Sequence, residues 1–160
     1  MTDHDEKQGN GAVLDEKYLE QLTTLFEKGI RFNAFLNMKV EGLRSGYAKL
    51  RVPYREDFIG DPLRPALHGG VVSTLLDTAG GIAAFTSVRP SDVLSTVDLR
   101  VDYLRPAGLL DLVAEAKVIR IGNLVAVCDI VAYQDDPERP VATGKGVYNV
   151  RRATDRPGGA

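Results

Sequence analysis

The stretch that decides the fold is Leu67-His68-Gly69-Gly70-Val71-Val72-Ser73-Thr74-Leu75-Leu76-Asp77-Thr78-Ala79-Gly80-Gly81. It opens an apolar helical pattern over residues 71–87, which contains no proline and closes at Arg89-Pro90. A helix this apolar has to be covered by other elements on nearly every side. One face differs, because small residues and a single carboxylate recur along it, and we predict that this face stays open and lets a second helix approach closely. Its members are Ser73, Asp77, Gly80, Gly81 and Ala84.

Residues on both sides of this helix alternate in hydrophobicity as β-strands do. Residues 39–54 predict a hairpin with a break at Arg44-Ser45-Gly46. Four further strands are predicted over residues 93–104, 110–120, 124–133 and 141–151. The short turns between them favour an antiparallel meander, because parallel neighbours need crossovers of a dozen residues or more. Ahead of the hairpin, apolar residues at helical spacing predict an amphipathic helix from Leu14 to Gly29.

These elements predict one α+β domain, in which an antiparallel sheet curls around one long central helix, with an additional N-terminal helix. A chain of 160 residues with 44% hydrophobic residues is long enough to build one substantial core. We place this domain at residues 14–152. Residues 1–13 and 153–160 have the glycine, proline and charge content that is typical of disordered tails.

Composition and charge argue against several classes of partner. The chain has 20 Lys and Arg against 22 Asp and Glu, so it offers no broad basic field to a nucleic acid. No stretch approaches the ~20 apolar residues of a membrane span, and the polar start lacks the apolar core of a signal peptide. The single cysteine is Cys128, and the only histidines are His4 and His68, so neither a disulfide nor a metal site is expected. We therefore expect a cytoplasmic protein without nucleic-acid, membrane or metal partners.

Gly69 and Asp77 are the strongest candidates for chemistry. Gly69-Gly70 at a helix N-terminus leaves backbone N–H groups unshielded, where the helix dipole favours a developing oxyanion. Asp77 is a carboxylate between apolar neighbours, and burial of such a group requires a partner. The two residues lie about 12 Å apart along one helix, which is too far for both to touch one carbonyl. If two chains pack these faces antiparallel, Asp77 of one meets Gly69 of the other, so we expect a site at a homodimer interface.

The helix motif, including the nine-residue step from His68 to Asp77, resembles the signature of the PaaI-like branch of hotdog thioesterases, a family that hydrolyses acyl-CoA. The resemblance covers about residues 58–151. It implies the hotdog fold, a homodimer or homotetramer, and a reaction without a retained cofactor, since CoA is part of the substrate. In that family the glycine after the motif histidine donates its N–H to the thioester oxygen, and the acidic residue of the partner helix acts as general base or nucleophile. These roles fall on Gly69 and Asp77.

The same resemblance implies a hydroxyl residue near the carboxylate, and Thr96 occupies that place. Strict alternation puts Thr96 on the strand face that carries Asp98 and Arg100, so only a local twist or an edge position brings it to the site. For His68 two interpretations stay open. It either caps the helix and positions the turn, or it polarises or orients the substrate as a catalytic residue.

Substrate-binding residues are implied at both ends of the motif. Many relatives carry an asparagine six residues before the motif histidine; here Pro62 occupies that position, and the preceding Asp61 is the candidate replacement. Gly70 joins Gly69 at the helix N-terminus. Arg105 and Arg120 are candidates to bind the phosphates of CoA.

Two other functions remain open from the sequence. A hotdog acyl dehydratase or hydratase would need a histidine and a carboxylate converging on the substrate. A non-catalytic acyl-CoA binding module would retain its ligand without turnover. The acyl group itself is not determined, because Phe85, Leu63 and Tyr54 are equally placed to line an aryl or medium-chain pocket or to belong to the core.

Overall fold

The computed structural model describes residues 15–153. The expected tails lie outside that range, apart from Ala153, and so does Leu14. The predicted N-terminal helix, hairpin, central helix and four later strands are confirmed within a few residues. In chain order the elements are α1 (Glu16–Thr24), a π-helical turn (Leu25–Gly29), α2 (Arg31–Phe35), β1 (Lys39–Arg44), β2 (Tyr47–Val52), a 3-10 turn (Glu56–Phe58), β3 (Ile59–Asp61), β4 (Ala66–Leu67), α3 (Gly69–Phe85), β5 (Val93–Tyr103), β6 (Leu112–Ile121), β7 (Val125–Tyr133) and β8 (Ala142–Arg151).

Six strands form one antiparallel sheet in the order β1-β2-β6-β7-β8-β5. The prediction of a meander is wrong for β5, which pairs with β8 at the far edge and not with β6, the next strand along the chain. β6 pairs instead with β2, so that Leu50 lies opposite Ala114. The link from β5 to β6 crosses the end of the sheet, where Ala107 is buried and its carbonyl accepts a hydrogen bond from the Leu67 N–H. This crossing joins the hairpin to the later strands and makes the sheet wide enough to curl around α3.

The curled sheet around α3 confirms the predicted α+β class and the hotdog fold. α3 contacts strands from both halves of the sheet, and its inner side chains Leu75, Leu76 and Ile82 are fully buried. The strand residues that face them include several alanines, such as Ala116 and Ala126, which leave room for the larger helix side chains. No helix within residues 15–153 is both long and apolar enough to cross a lipid bilayer.

A buried carboxylate, which we name the Asp92 clamp, fastens the end of the described chain to the turn after α3. The Asp92 side chain is fully buried and accepts hydrogen bonds from Arg89, from Arg152 at 2.8 Å and from the backbone N–H of Ala153 at 3.1 Å. Burial opposes ionisation of this carboxyl. The hydrogen bonds from the two arginines and from the backbone outweigh that effect and hold the pKa of Asp92 well below its usual range.

Candidate active site

Asp77 lies in the middle of α3, on the face that the sheet leaves open. Asp77 and Gly81 are half-buried there, whereas Gly80 and Ala84 are buried against other elements. The prediction of an open face is therefore confirmed for Asp77 and Gly81 and wrong for Gly80 and Ala84.

A β-bulge in β5 brings Thr96 to Asp77. The register of β5 against β8 shifts between Thr96 and Asp98, so that Val97 has no pairing partner of its own. The extra residue reverses the alternation, and Thr96 points to α3 while Asp98 points away from it. The Thr96 hydroxyl donates a hydrogen bond to Oδ1 of Asp77 at 2.9 Å. Among residues 15–153 the structure places no donor on Oδ2 of Asp77, which leaves this oxygen available to an external group.

His68 caps the N-terminus of α3. Its Nδ1 accepts a hydrogen bond from the Gly70 N–H at 2.8 Å, as the cap interpretation predicts. No acceptor within the described residues takes the Gly69 N–H, which therefore remains available to a substrate oxygen. Tyr103, which the sequence did not single out, donates its hydroxyl hydrogen to the Gly69 carbonyl at 3.0 Å. The end of β5 is thereby held against this turn.

Asp61 has a local structural role in the turn that precedes β4. Its Oδ1 accepts hydrogen bonds from the backbone N–H groups of Leu63 at 2.9 Å and Arg64 at 3.1 Å. These two bonds, first the one from Arg64, lower the pKa of the Asp61 carboxyl. With Oδ1 engaged in this way, Asp61 shapes the loop that leads to His68.

Arg105 and Arg120 lie at different ends of the sheet. Arg105 follows β5 at the end where Tyr103 contacts Gly69. Arg120 on β6 is level with Asp98 on β5, as the pairings through β7 and β8 show. Five residues of β5, about 17 Å, separate the level of Asp98 from Tyr103, and Arg105 lies beyond Tyr103. The structure therefore does not bring the two arginines to one phosphate group within a single chain.

Tyr148 on β8, also missed by the sequence analysis, fixes the backbone of α3 at Asp77. Its hydroxyl donates to the Asp77 carbonyl at 2.9 Å, and the residue is 1% exposed. A Cβ atom at Gly80 would lie 2.1 Å from the hydroxyl oxygen, and one at Gly146 would lie 2.6 Å from it. Burial, and then the charge of Asp77, raise the pKa of Tyr148, which keeps it a donor. The signal in the sequence is Gly80, a glycine inside an apolar helix, whose role is to admit this ring.

We expect Gly80→Ala to lower the free energy of unfolding by about 3 kcal/mol, because the added methyl group overpacks the core and displaces the Tyr148 hydroxyl. Gly81→Ala is the matched control. A Cβ atom there meets the Tyr148 ring only at 3.6 Å, an ordinary contact, and alanine favours a helix over glycine by about 1 kcal/mol. Urea unfolding followed by circular dichroism measures both variants. Equal stability of the two would contradict the packing assigned to Gly80.

Cys128 is buried in the core and is unsuited to act as a nucleophile. Burial, and then the charge of Asp129, raise the pKa of the thiol to about 12, and Sγ lies 3.4 Å from the carbonyl oxygen of Gly80. Within the part of the chain that the structure describes, no three His, Cys, Asp or Glu side chains are grouped closely enough to hold a metal ion.

A cavity of about 290 Å³ opens beside Asp77 and Thr96. Its inner side is formed by α3 and the start of β5, and its outer side by residues 26–33 of the N-terminal segment. Phe85 lines this cavity, whereas Leu63 is 91% exposed and Tyr54 packs against the core. Of the three residues that the sequence offered as pocket or core residues, only Phe85 therefore lines this cavity.

A larger groove, of about 570 Å³, lies on the outer face of the sheet. Charged side chains of both signs line it, including Arg100, Lys117 and Asp129. Neither Asp77 nor Gly69 is among its lining residues. We therefore take the smaller cavity at Asp77 as the candidate active site.

Comparisons with known proteins place the chain among thioesterases. The sequence profile described as the thioesterase superfamily matches residues 65–141, which contain Gly69, Asp77 and Thr96. A candidate esterase of Halobacterium salinarum is 40% identical over an alignment of 128 positions that covers 74% of this chain and 83% of that protein. The medium/long-chain acyl-CoA thioesterase YigI of Escherichia coli is 29% identical over an alignment of 153 positions that covers 87% of this chain and 98% of that protein.

A solved structure shows the same architecture. The crystal structure of a thioesterase family protein from Silicibacter pomeroyi superposes with a TM-score of 0.75 at 27% sequence identity. The match covers 82% of this chain and 97% of that chain. The likeness thus extends well beyond the helix motif.

Proposed function

Because this chain belongs to the thioesterase superfamily and is a thioester hydrolase, we propose that its substrates are acyl-CoA esters. The relatives named as acyl-CoA thioesterases support this substrate class. The observation that carries the proposal is the hydrogen-bonded pair of Asp77 and Thr96 beside an apolar cavity. The proposal includes membership of the PaaI-like branch, supported by the motif from His68 to Asp77. It also includes a cytoplasmic location, supported by the single buried cysteine.

In the proposed mechanism Asp77 is the general base. Thr96 holds Oδ1, so Oδ2 accepts a proton from water while the water oxygen attacks the thioester carbonyl carbon. The Gly69 N–H of the second chain, at the positive end of its helix, stabilises the oxyanion. The C–S bond then breaks, the carboxylic acid forms, and the CoA thiolate takes up the proton from Asp77. His68 contributes by holding the Gly69-Gly70 turn through its Nδ1.

The proposed site needs two chains, because eight residues of α3, about 12 Å, separate Gly69 from Asp77. β5 is an 11-residue strand at the edge of the sheet, and its outer backbone groups pair with no other strand within residues 15–153. Val97 and Tyr103 on this strand are 64% and 55% exposed. A long edge strand that carries such exposed apolar side chains supports pairing with a second copy. Antiparallel pairing of two β5 strands would set the two α3 helices side by side in opposite directions.

The test of the proposal is release of free thiol from a panel of short, medium, long and aromatic acyl-CoA esters, followed with a colorimetric thiol reagent. We expect turnover that depends on Asp77. Hydration of an enoyl-CoA without thiol release would support the dehydratase alternative instead. Tight binding of the esters without turnover would support a binding module.

The two-chain site predicts complementation between inactive variants. Gly69→Pro removes the N–H at the first position of the helix, where proline is well tolerated, and Asp77→Ala removes the base. Each variant alone is expected to be inactive. Mixing and refolding them gives heterodimers in which one site keeps both native groups, so thiol release returns to about a quarter of the wild-type rate if the chains pair at random. A mixture as inactive as its parents would contradict the shared site.

A further inference from the structure

The wall of the cavity that faces Asp77 comes from residues 26–33, which lie outside the region matched by the superfamily profile. The rings of Phe26 and Phe85 meet edge to face, with centroids 5.8 Å apart, and close its buried end. Ile30 and Phe32, which are 37% and 56% exposed, line its open end. Large apolar side chains that remain exposed beside a carboxylate offer a surface for an apolar chain to cover.

A π-helical turn sets the direction of this wall. The Ile30 N–H bonds to the carbonyl of Leu25, five residues back, so the Phe26 carbonyl lacks its usual α-helical donor. The Asn33 side chain, only 3% exposed, supplies the missing donor, with Nδ2 at 3.0 Å from that carbonyl. The bond ties α2 back to the π turn and holds Ile30 and Phe32 beside the cavity. A buried amide used in this way indicates that the position of the wall is fixed by the fold.

We propose that residues 26–33 select the acyl group and that they favour medium chains over long ones. The proposal rests on the thioesterase function. The preference follows from the cavity, because about 290 Å³ lies at the lower end of the ~300–1,000 Å³ that small-molecule sites occupy. The apolar lining by Phe26, Phe85 and Leu94 selects a hydrocarbon over a polar acyl group.

Two substitutions should move the preference in opposite directions. Phe32→Ala opens the wall and is expected to raise kcat/KM for a sixteen-carbon ester relative to an eight-carbon ester by about tenfold. Gly81→Ala places a methyl group in the cavity without a clash and is expected to lower kcat/KM for a ten-carbon ester relative to a six-carbon ester by about tenfold. Leu25→Ala is the matched control, because Leu25 is 48% exposed on the same segment and does not line the cavity.

A binding measurement separates this proposal from the thioesterase function. Calorimetry with S-alkyl-CoA thioethers, which cannot be hydrolysed, should show that the wild type binds the octyl compound more tightly than the hexadecyl compound. In Phe32→Ala the affinity for the hexadecyl compound should rise relative to that for the octyl compound. If the thioethers follow this order but no acyl-CoA ester is hydrolysed, the role of residues 26–33 is upheld and the proposal that acyl-CoA esters are the substrates fails. If esters are hydrolysed with one chain-length profile in the wild type and both variants, the wall does not select the acyl group.

Discussion

Asp77→Asn is expected to lower kcat for acyl-CoA hydrolysis by about a thousandfold and to leave KM nearly unchanged. The amide has the shape of the carboxylate and can still accept the Thr96 hydrogen bond, but it cannot take a proton from water. General base catalysis typically contributes a factor of a hundred to ten thousand. The loss should therefore appear in turnover, because the surfaces that hold the substrate are unaltered. Thiol release measures the rate, and a thermal melt establishes that the variant is folded.

Asp98→Asn is the matched control for this prediction. Asp98 is an exposed carboxylate on β5, two residues from Thr96, but the bulge turns it to the outer face of the sheet. Its replacement should change kcat by less than about twofold, since the side chain points away from Asp77 to the outer face of the sheet and the amide keeps its shape. If Asp77→Asn kept more than a tenth of the wild-type rate, Asp77 would not be the base. If the two variants lost activity equally, the cause would be charge and not position.

Asp92→Ala is expected to lower the free energy of unfolding by about 3 kcal/mol. The change removes a buried acceptor and leaves the partly buried Arg152 guanidinium without its ion-pair partner. Asp129→Ala is the control, because Asp129 forms an ion pair of similar length with Lys145, but both side chains are more than half exposed. Exposed pairs contribute less than about 1 kcal/mol. Denaturant unfolding at neutral pH compares the two, and equal losses would refute the importance of burial in the Asp92 clamp.

The Asp92 clamp also predicts a pH dependence of stability. The pKa of this carboxyl is lower in the folded than in the unfolded chain, so the folded state favours the ionised form. Its stabilisation is complete above the unfolded pKa of about 4 and is lost as the pH falls towards the folded pKa. The difference in stability between wild type and Asp92→Ala should therefore be constant between pH 5 and 7 and shrink below pH 4. A difference that stayed constant down to pH 3 would contradict this origin.

Local patterns were sufficient to predict the elements of the fold, because hydrophobic period and turn residues act over short distances. The apolar run after Gly70 specifies a central helix, and the alternation around Leu50 specifies a strand with one buried face. The His68–Asp77 motif was enough to locate the candidate carboxylate, its helix N-terminus and the capping histidine. These features all lie within one element or its immediate cap.

Strand order and the partners of Asp77 could not be predicted, because they depend on contacts between distant parts of the chain. The short link around Ala107 gave no sign that β5 would pair with β8. Val97 is an ordinary strand residue, so nothing in the sequence marks it as the bulge that turns Thr96 inward. Tyr148 looked like any strand aromatic until its contact with the Asp77 carbonyl was seen.

The π-helical turn at Leu25–Gly29 holds one residue more than an α-helical turn. Deleting a single residue from 25–29 would remove the π turn and change the direction in which the chain leaves α1 for Ile30. Ile30 and Phe32 would leave the cavity, while α3 and Thr96 would keep their places. If residues 26–33 select the acyl group as proposed, substrate preference and catalysis depend on different parts of the chain, and a change of one residue in the π turn alters the first without touching the second.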